Sequence, residues 1–179
     1  MKKKIVSCRK MLVLALVAMM ALMALVPCAA EGISIFEPKN MMEAYNDNIG
    51  SFFEILMEGA GDHSNFDRDF KVTLKSEADG EVVYENNDGS IVVTYYTSDE
   101  NTPADKLYFW TSGKSVYRNI PQLVFGWAVS NSHADGVNDL DLLYWLNDST
   151  NRDTYTCDLY TVTYDLIKDE YYAFMVTRN

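Results

Sequence analysis

The sequence predicts a single α+β domain over residues 31–179, an antiparallel sheet with helices packed on one face in the element order α-β4-α2-β2. Three observations carry this expectation. Apolar residues recur at three- and four-residue steps from Met42 to Leu56, the stripe of a helix buried on one side. From Phe70 to Thr111 the period falls to two and is interrupted by Asp-Gly pairs, the pattern of consecutive hairpins. The helical period then returns twice before two last alternating runs, and grouped helices beside grouped hairpins favour an antiparallel sheet over βαβ units.

The first helix opens at Asn40, whose partner three residues on is Glu43, a capping pair. Met42, Tyr45, Ile49, Phe52, Phe53 and Leu56 form its apolar side, and Gly59 and Gly61 end the pattern. Phe70, Val72 and Leu74 then alternate with Lys71, Thr73 and Lys75, as in a strand covered on one face. At Asp79-Gly80 a two-residue loop would set Leu74 opposite Glu85. A three-residue loop, Ala78-Asp79-Gly80, pairs Leu74 with Tyr84 and Ser76 with Val82, and is the expected one. A two-residue Asp88-Gly89 loop pairs Tyr84 with Val93 and Val82 with Tyr95. A polar loop from Asp99 to Asp105 leads to a fourth strand, Leu107 to Thr111.

Asn119 with Gln122, and Pro121 in the first turn, open a second helix carrying Leu123, Val124, Phe125, Trp127 and Ala128. Asn138 with Asp141 opens a third, with Leu142, Leu143, Trp145 and Leu146. Two strands close the chain, Tyr155 to Tyr164 and Tyr171 to Thr177.

Residues 1–30 read as a secretory signal peptide: five basic residues, no acid, an apolar run from Met11 to Val26, and small residues at Cys28, Ala29 and Ala30. The run is shorter than the roughly 20 residues of a spanning helix. The Lys-rich leader points to a secreted bacterial protein, extracellular or in the cell envelope. Leu25 before Cys28 resembles a lipobox, but Pro27 stands where such boxes carry a small residue, so lipid anchoring through Cys28 is the minor alternative. All 26 acidic residues follow residue 30, against ten of the 15 basic ones, a formal charge of −16 there (10 − 26). That surface repels phosphate backbones and anionic lipid, which argues against nucleic acid and peripheral membrane as partners. Cys157 is the one cysteine beyond the leader, so no intramolecular disulfide can form there. Its place between Tyr155 and Leu159 suggests a buried structural thiol.

The chemistry of sites is thin. Ser112-Gly113-Lys114-Ser115 ends like a phosphate-binding loop, but Tyr108 stands where its first glycine belongs. His63 and His133 are the two imidazoles, and no H-E-x-x-H or paired C-x-x-C occurs. His133, Cys157 and Asp135 form the one conceivable triad, with no nucleophile signature around the thiol. Asn131 to Asp139 follow an EF-hand spacing that fails at Leu142, where a bidentate Glu is required; Asp135, Asp139 and Asp141 remain as weak calcium candidates. No cofactor is implied.

The aromatic surface is the residual signal. With Leu107 and Phe109 directed to the core, Tyr108 and Trp110 point to the opposite face, together with Tyr96. Tyr and Trp with few charges between them suit a binding patch for a protein or glycan partner. The expected function is therefore a non-catalytic extracellular binding module. An inhibitor or immunity-like partner of a basic secreted protein ranks second, on charge. A secreted hydrolase of envelope polymers ranks third, resting on compartment and carboxylate abundance.

Overall fold

A computed structural model describes residues 34–56, 70–112, 125, 145, 154–164 and 171–179. A helix, α1 (Pro38–Leu56), precedes seven strands: β1 (Thr73–Ala78), β2 (Glu81–Glu85), β3 (Ile91–Tyr95), β4 (Lys106–Ser112), β5 (Thr154–Thr156), β6 (Tyr160–Tyr164) and β7 (Tyr171–Arg178). They form one antiparallel sheet in the order β1-β2-β3-β4-β7-β6-β5. Two meanders, β1 to β4 and β5 to β7, therefore meet where β4 pairs with β7.

This corrects the expected fold class. The described architecture is mostly a seven-stranded antiparallel sheet with one helix, not an α+β layout with several helices packed on a face in the order α-β4-α2-β2. Part of the difference is an additional strand. The run from Tyr155 to Tyr164 folds back on itself, with the Cys157 N–H donating to the Tyr160 carbonyl at 3.0 Å, so β5 and β6 are two strands joined at Asp158-Leu159. The helices expected at 119–128 and 138–146 lie outside the described residues, apart from Phe125 and Trp145.

The helix starts earlier than its Asn40–Glu43 pair suggests. Pro38 occupies the first helical position, where a missing N–H costs nothing, and the Met41 N–H reaches the Glu37 carbonyl at 2.9 Å. Met41, Met42, Tyr45 and Ile49 are buried against the sheet. Asn46 fixes the entry to the first strand: its amide nitrogen donates to the Val72 carbonyl at 2.9 Å and its oxygen accepts the Val72 N–H at 2.9 Å. Both backbone groups of Val72 are thus held by a side chain, so β1 begins at Thr73 rather than Phe70.

The first hairpin turns through two residues, not three. Asp79 (φ 56°) and Gly80 (φ 79°) are both left-handed, the signature of a type I′ turn. The expected pairing of Leu74 with Tyr84 nevertheless occurs, because a β-bulge between Leu74 and Ser76 inserts Lys75 and shifts the register by one. Beyond the bulge Ser76 faces Val83 and Glu77 faces Val82. The second hairpin has the expected pairs, Tyr84 with Val93 and Val82 with Tyr95. Its loop turns at Asn86–Gly89, with Gly89 at φ 72° and its N–H on the Asn86 carbonyl at 3.2 Å.

Phe109 is the centre of the inner face. Its ring stacks on Phe174 at 4.9 Å between centroids, and Phe125 and Tyr45 close on it at 5.0 and 6.4 Å. Val82, Val93, Tyr95, Leu107, Val162 and Val176 extend the same side. Trp145 packs on Tyr155 of the same layer.

Asn86 is buried and knits its loop, donating to Asp88 Oδ1 (2.8 Å) and Ser90 Oγ (2.9 Å) while accepting the Ile91 N–H (2.9 Å). Asn86→Ala leaves that N–H without its acceptor, and a loss of on the order of 2–3 kcal/mol is expected in urea denaturation. Hydrogen bonds, the Ser90 hydroxyl foremost and then the Ser90 N–H and the Asn86 amide, hold the Asp88 carboxyl below its ordinary 3.8. A carboxyl lowered on folding contributes stability above its unfolded value and loses it as pH falls through the folded one. Asp88→Asn is expected to flatten the acid limb of stability against pH, below about pH 4. The Tyr95 hydroxyl and Thr111 Oγ1 are buried with no hydrogen-bond partner among the described residues. Tyr95→Phe and Thr111→Val should leave the thermal midpoint unchanged or raised, since each removes a desolvated group that bonds to none of those residues.

Candidate functional site

The alternation of β4 decides where the aromatic residues lie. Leu107, Phe109 and Thr111 are buried on the inner face, so Lys106, Tyr108, Trp110 and Ser112 point the other way. Tyr96 follows β3 and stays in register, its N–H donating to the Lys106 carbonyl at 3.0 Å. All three predicted residues, Tyr96, Tyr108 and Trp110, thus share the outer face. They differ in exposure: Tyr96 is exposed at 38%, whereas Tyr108 and Trp110 are partly buried. The Lys106 ammonium sits 4.3 Å from the Tyr96 ring centroid, a cation–π contact that draws the charge onto the ring.

The strand register arranges this face in straight rows. One row runs across five strands as Thr94, Tyr108, Met175, Thr163 and Thr154. The next runs as Tyr96, Lys106, Thr177, Thr161 and Thr156. On the other side of the first, Val92, Trp110 and a fully buried Ala173 form a third. Adjacent residues in a row stand about 4.8 Å apart and successive rows about 7 Å apart. Threonines therefore continue the face that the aromatic residues begin. Thr154, Thr156, Thr163 and Thr177 are exposed, and Thr161 is partly so. Their hydroxyls are linked: Thr161 donates to Asn179 Oδ1 at 2.8 Å and lies 3.4 Å from the Thr156 oxygen.

The charge on this face is uneven. Over β1 and β2 it carries Glu81, Glu85 and the bulged Lys75, the last two paired at 3.6 Å. From β3 to β5 it carries no carboxylate among the described residues, and Lys106 is its single charge. The acidic groups gather elsewhere. Glu77 accepts the Glu100 N–H at 2.6 Å, and Glu100 meets Lys39 at 3.4 Å and the Tyr84 hydroxyl at 3.2 Å. Burial, then the neighbouring Glu100 carboxylate, raises the Tyr84 hydroxyl well above its usual range, so it remains a donor.

Two shallow clefts are lined by described residues alone. One cleft of about 230 Å³ lies between Glu37, Lys39, Asn40, Glu100, Asn101 and Pro103, and another of about 280 Å³ between Phe36, Asp158, Leu159, Arg178 and Asn179. Both fall below the roughly 300–1,000 Å³ of small-molecule pockets. The second is closed on one side by the Arg178 guanidinium over the Phe36 ring at 4.7 Å.

The calcium candidates Asp135, Asp139 and Asp141, and both histidines, lie outside the described residues. Among the described residues no three His, Cys, Asp or Glu side chains gather where a cation could be held, and no helix is long and apolar enough to cross a membrane. Cys157 is partly buried rather than enclosed, because the β5–β6 turn places it at the margin of the core, where its carbonyl accepts from the Asn179 amide at 2.6 Å. Sequence reasoning missed the threonine array. Thr-x-Thr at 154–156 and again at 161–163 is its signal, and only the pairing of β5 with β6 aligns the two. No family model, curated protein or solved structure matches the chain.

Proposed function

We propose that the chain is a secreted, non-catalytic binding module that holds a protein or glycan partner against the outer face of its sheet. The observation that carries this reading is the convergence of Tyr96, Tyr108 and Trp110 on one face, in consecutive rows on or beside β3 and β4, strands paired on both sides. Side chains on central strands are held by neighbours on both sides, so a partner meets a surface that is already ordered and loses little entropy in fixing it. Tyr and Trp add large apolar area with a polar tip, which suits a surface that must remain wetted when empty. The leader at residues 1–30 supports an extracellular or envelope location, where such a partner would be encountered.

Capture from the source organism's culture fluid and envelope extract, on immobilised residues 31–179, tests this. A species retained by the parent chain is expected to fall at least tenfold with Trp110→Ala and with Tyr96→Ala. Tyr96 is exposed, so its variant controls for any loss of stability caused by removing the partly buried Trp110. Retention unchanged by both substitutions, with the thermal midpoint intact, removes the outer face as the site.

A further inference from the structure

We propose that the ligand of the outer face is a neutral glycan chain, laid across β3, β4, β7, β6 and β5. The inference rests on the outer face being the binding face. Its first support is charge. In a chain with 26 acidic residues, five adjacent strands present a face on which no described residue is a carboxylate and Lys106 is the single charge. A basic protein partner would be drawn to carboxylates, and described ones cluster over β1 and β2 and around Glu77 and Glu100. An anionic polymer would be repelled by the protein as a whole. A neutral polymer is subject to neither effect.

The second support is the pairing of two chemistries on one plane. A sugar ring has C–H faces and hydroxyl edges. Tyr96 offers an exposed ring and Tyr108 and Trp110 the uncovered parts of theirs for the faces, and the threonines offer hydroxyls that both donate and accept for the edges. The hydroxyls of Thr156 and Thr161 and the amide of Asn179 already form a linked series, so their directions are set before a ligand arrives. Threonine is under-represented among the residues that dominate protein–protein binding, so half of this face fits a protein partner poorly. The third support is shape. A row of five strands spans about 19 Å, room for several linked rings and unsuited to enclosing a single small molecule.

The test is retention on neutral polysaccharides, insoluble cellulose and chitin and soluble xylan and mannan, beside polygalacturonate as the acidic comparator. The proteins are the parent, Trp110→Ala, and the double variant Thr154→Val/Thr163→Val. Valine keeps the branched shape and strand preference of threonine while removing the hydroxyl, and both positions are exposed, so the double variant is expected to fold as the parent does. The expected result is retention on at least one neutral polysaccharide and none on polygalacturonate. Retention should fall at least tenfold in each variant and change less than twofold between about 0.05 and 0.5 M salt, because no charge pair is being screened. Retention on none of the neutral polysaccharides overturns the inference, as does binding that the double variant leaves unchanged or that salt abolishes. The reading beneath it is separable. If a protein from the culture fluid is captured in a Trp110-dependent way while no polysaccharide is retained, the face binds but the glycan inference fails. If neither is retained, both fail.

Discussion

The structure turns on Phe109, the middle residue of the middle strand. Three partners close on its ring: Tyr45 from α1, Phe174 from β7, and Phe125. Full burial of an aromatic side chain of this size contributes about 2–3 kcal/mol in transfer free energy, and its stacked and tilted partners add to that. The larger consequence is geometric. A strand has two sides, so directing Phe109 inward directs Tyr108 and Trp110 outward; a one-residue slip would exchange the sets and place a phenylalanine in water. The stability of the core and the composition of the candidate face are therefore the same constraint seen from opposite sides of β4.

That constraint extends unevenly across the sheet. Toward β1 it fades: every residue of β1 is exposed, and Leu74, though on the inner side, is 42% exposed. An exposed edge strand invites pairing with another chain. Here the edge carries a bulge at Lys75 and an inner-side carboxylate at Glu77 that bonds to the β3–β4 loop, both features that disfavour the addition of a further strand. Charge is thus concentrated at the β1 end of the sheet, while the outer face from β3 to β5 carries mainly aromatic and hydroxyl side chains.

Much of the first meander was legible in the sequence, because local alternation and turn residues act within a few positions of each other. The pairs of Tyr84 with Val93 and Val82 with Tyr95, and the direction of Tyr108 and Trp110, follow from period two and one Asp-Gly turn. The Asp79-Gly80 turn shows the limit. Its two-residue form conflicts with strict alternation because it sets Leu74 opposite Glu85, yet a bulge at Lys75 reconciles that turn with the pairing of Leu74 and Tyr84. Nothing in a period-two pattern marks where an extra residue will be accommodated. Val72 was illegible for a different reason: alternation includes it in the strand, but a helix side chain, Asn46, takes its backbone groups from a distance of 26 residues. The break between β5 and β6 carries neither glycine nor proline, so the run from Tyr155 to Tyr164 reads as continuous and the expected element order is one strand short. The α+β expectation is overturned by the width of the sheet, since local periodicity cannot reveal how many strands will join it.

The pairing of β4 with β7 is the least local feature of the fold, and it determines what the outer face contains. Neither meander carries the full surface. The first supplies Tyr96, Tyr108 and Trp110 with one row end at Thr94; the second supplies Thr154, Thr156, Thr161, Thr163 and Thr177. Seven paired positions from Lys106–Thr177 to Ser112–Tyr171 join them, and within that ladder Tyr108 meets Met175 and Lys106 meets Thr177, so that aromatic and hydroxyl halves lie in common rows. The same ladder sets Phe109 beside Phe174 on the inner face. Contacts between residues 59 to 71 positions apart in sequence are formed against a large loop-closure entropy, which a buried aromatic stack helps to offset. The composite outer face consequently exists only when the inner stack has formed, and substitutions at Phe109 or Phe174 would disperse the face without altering any residue on it.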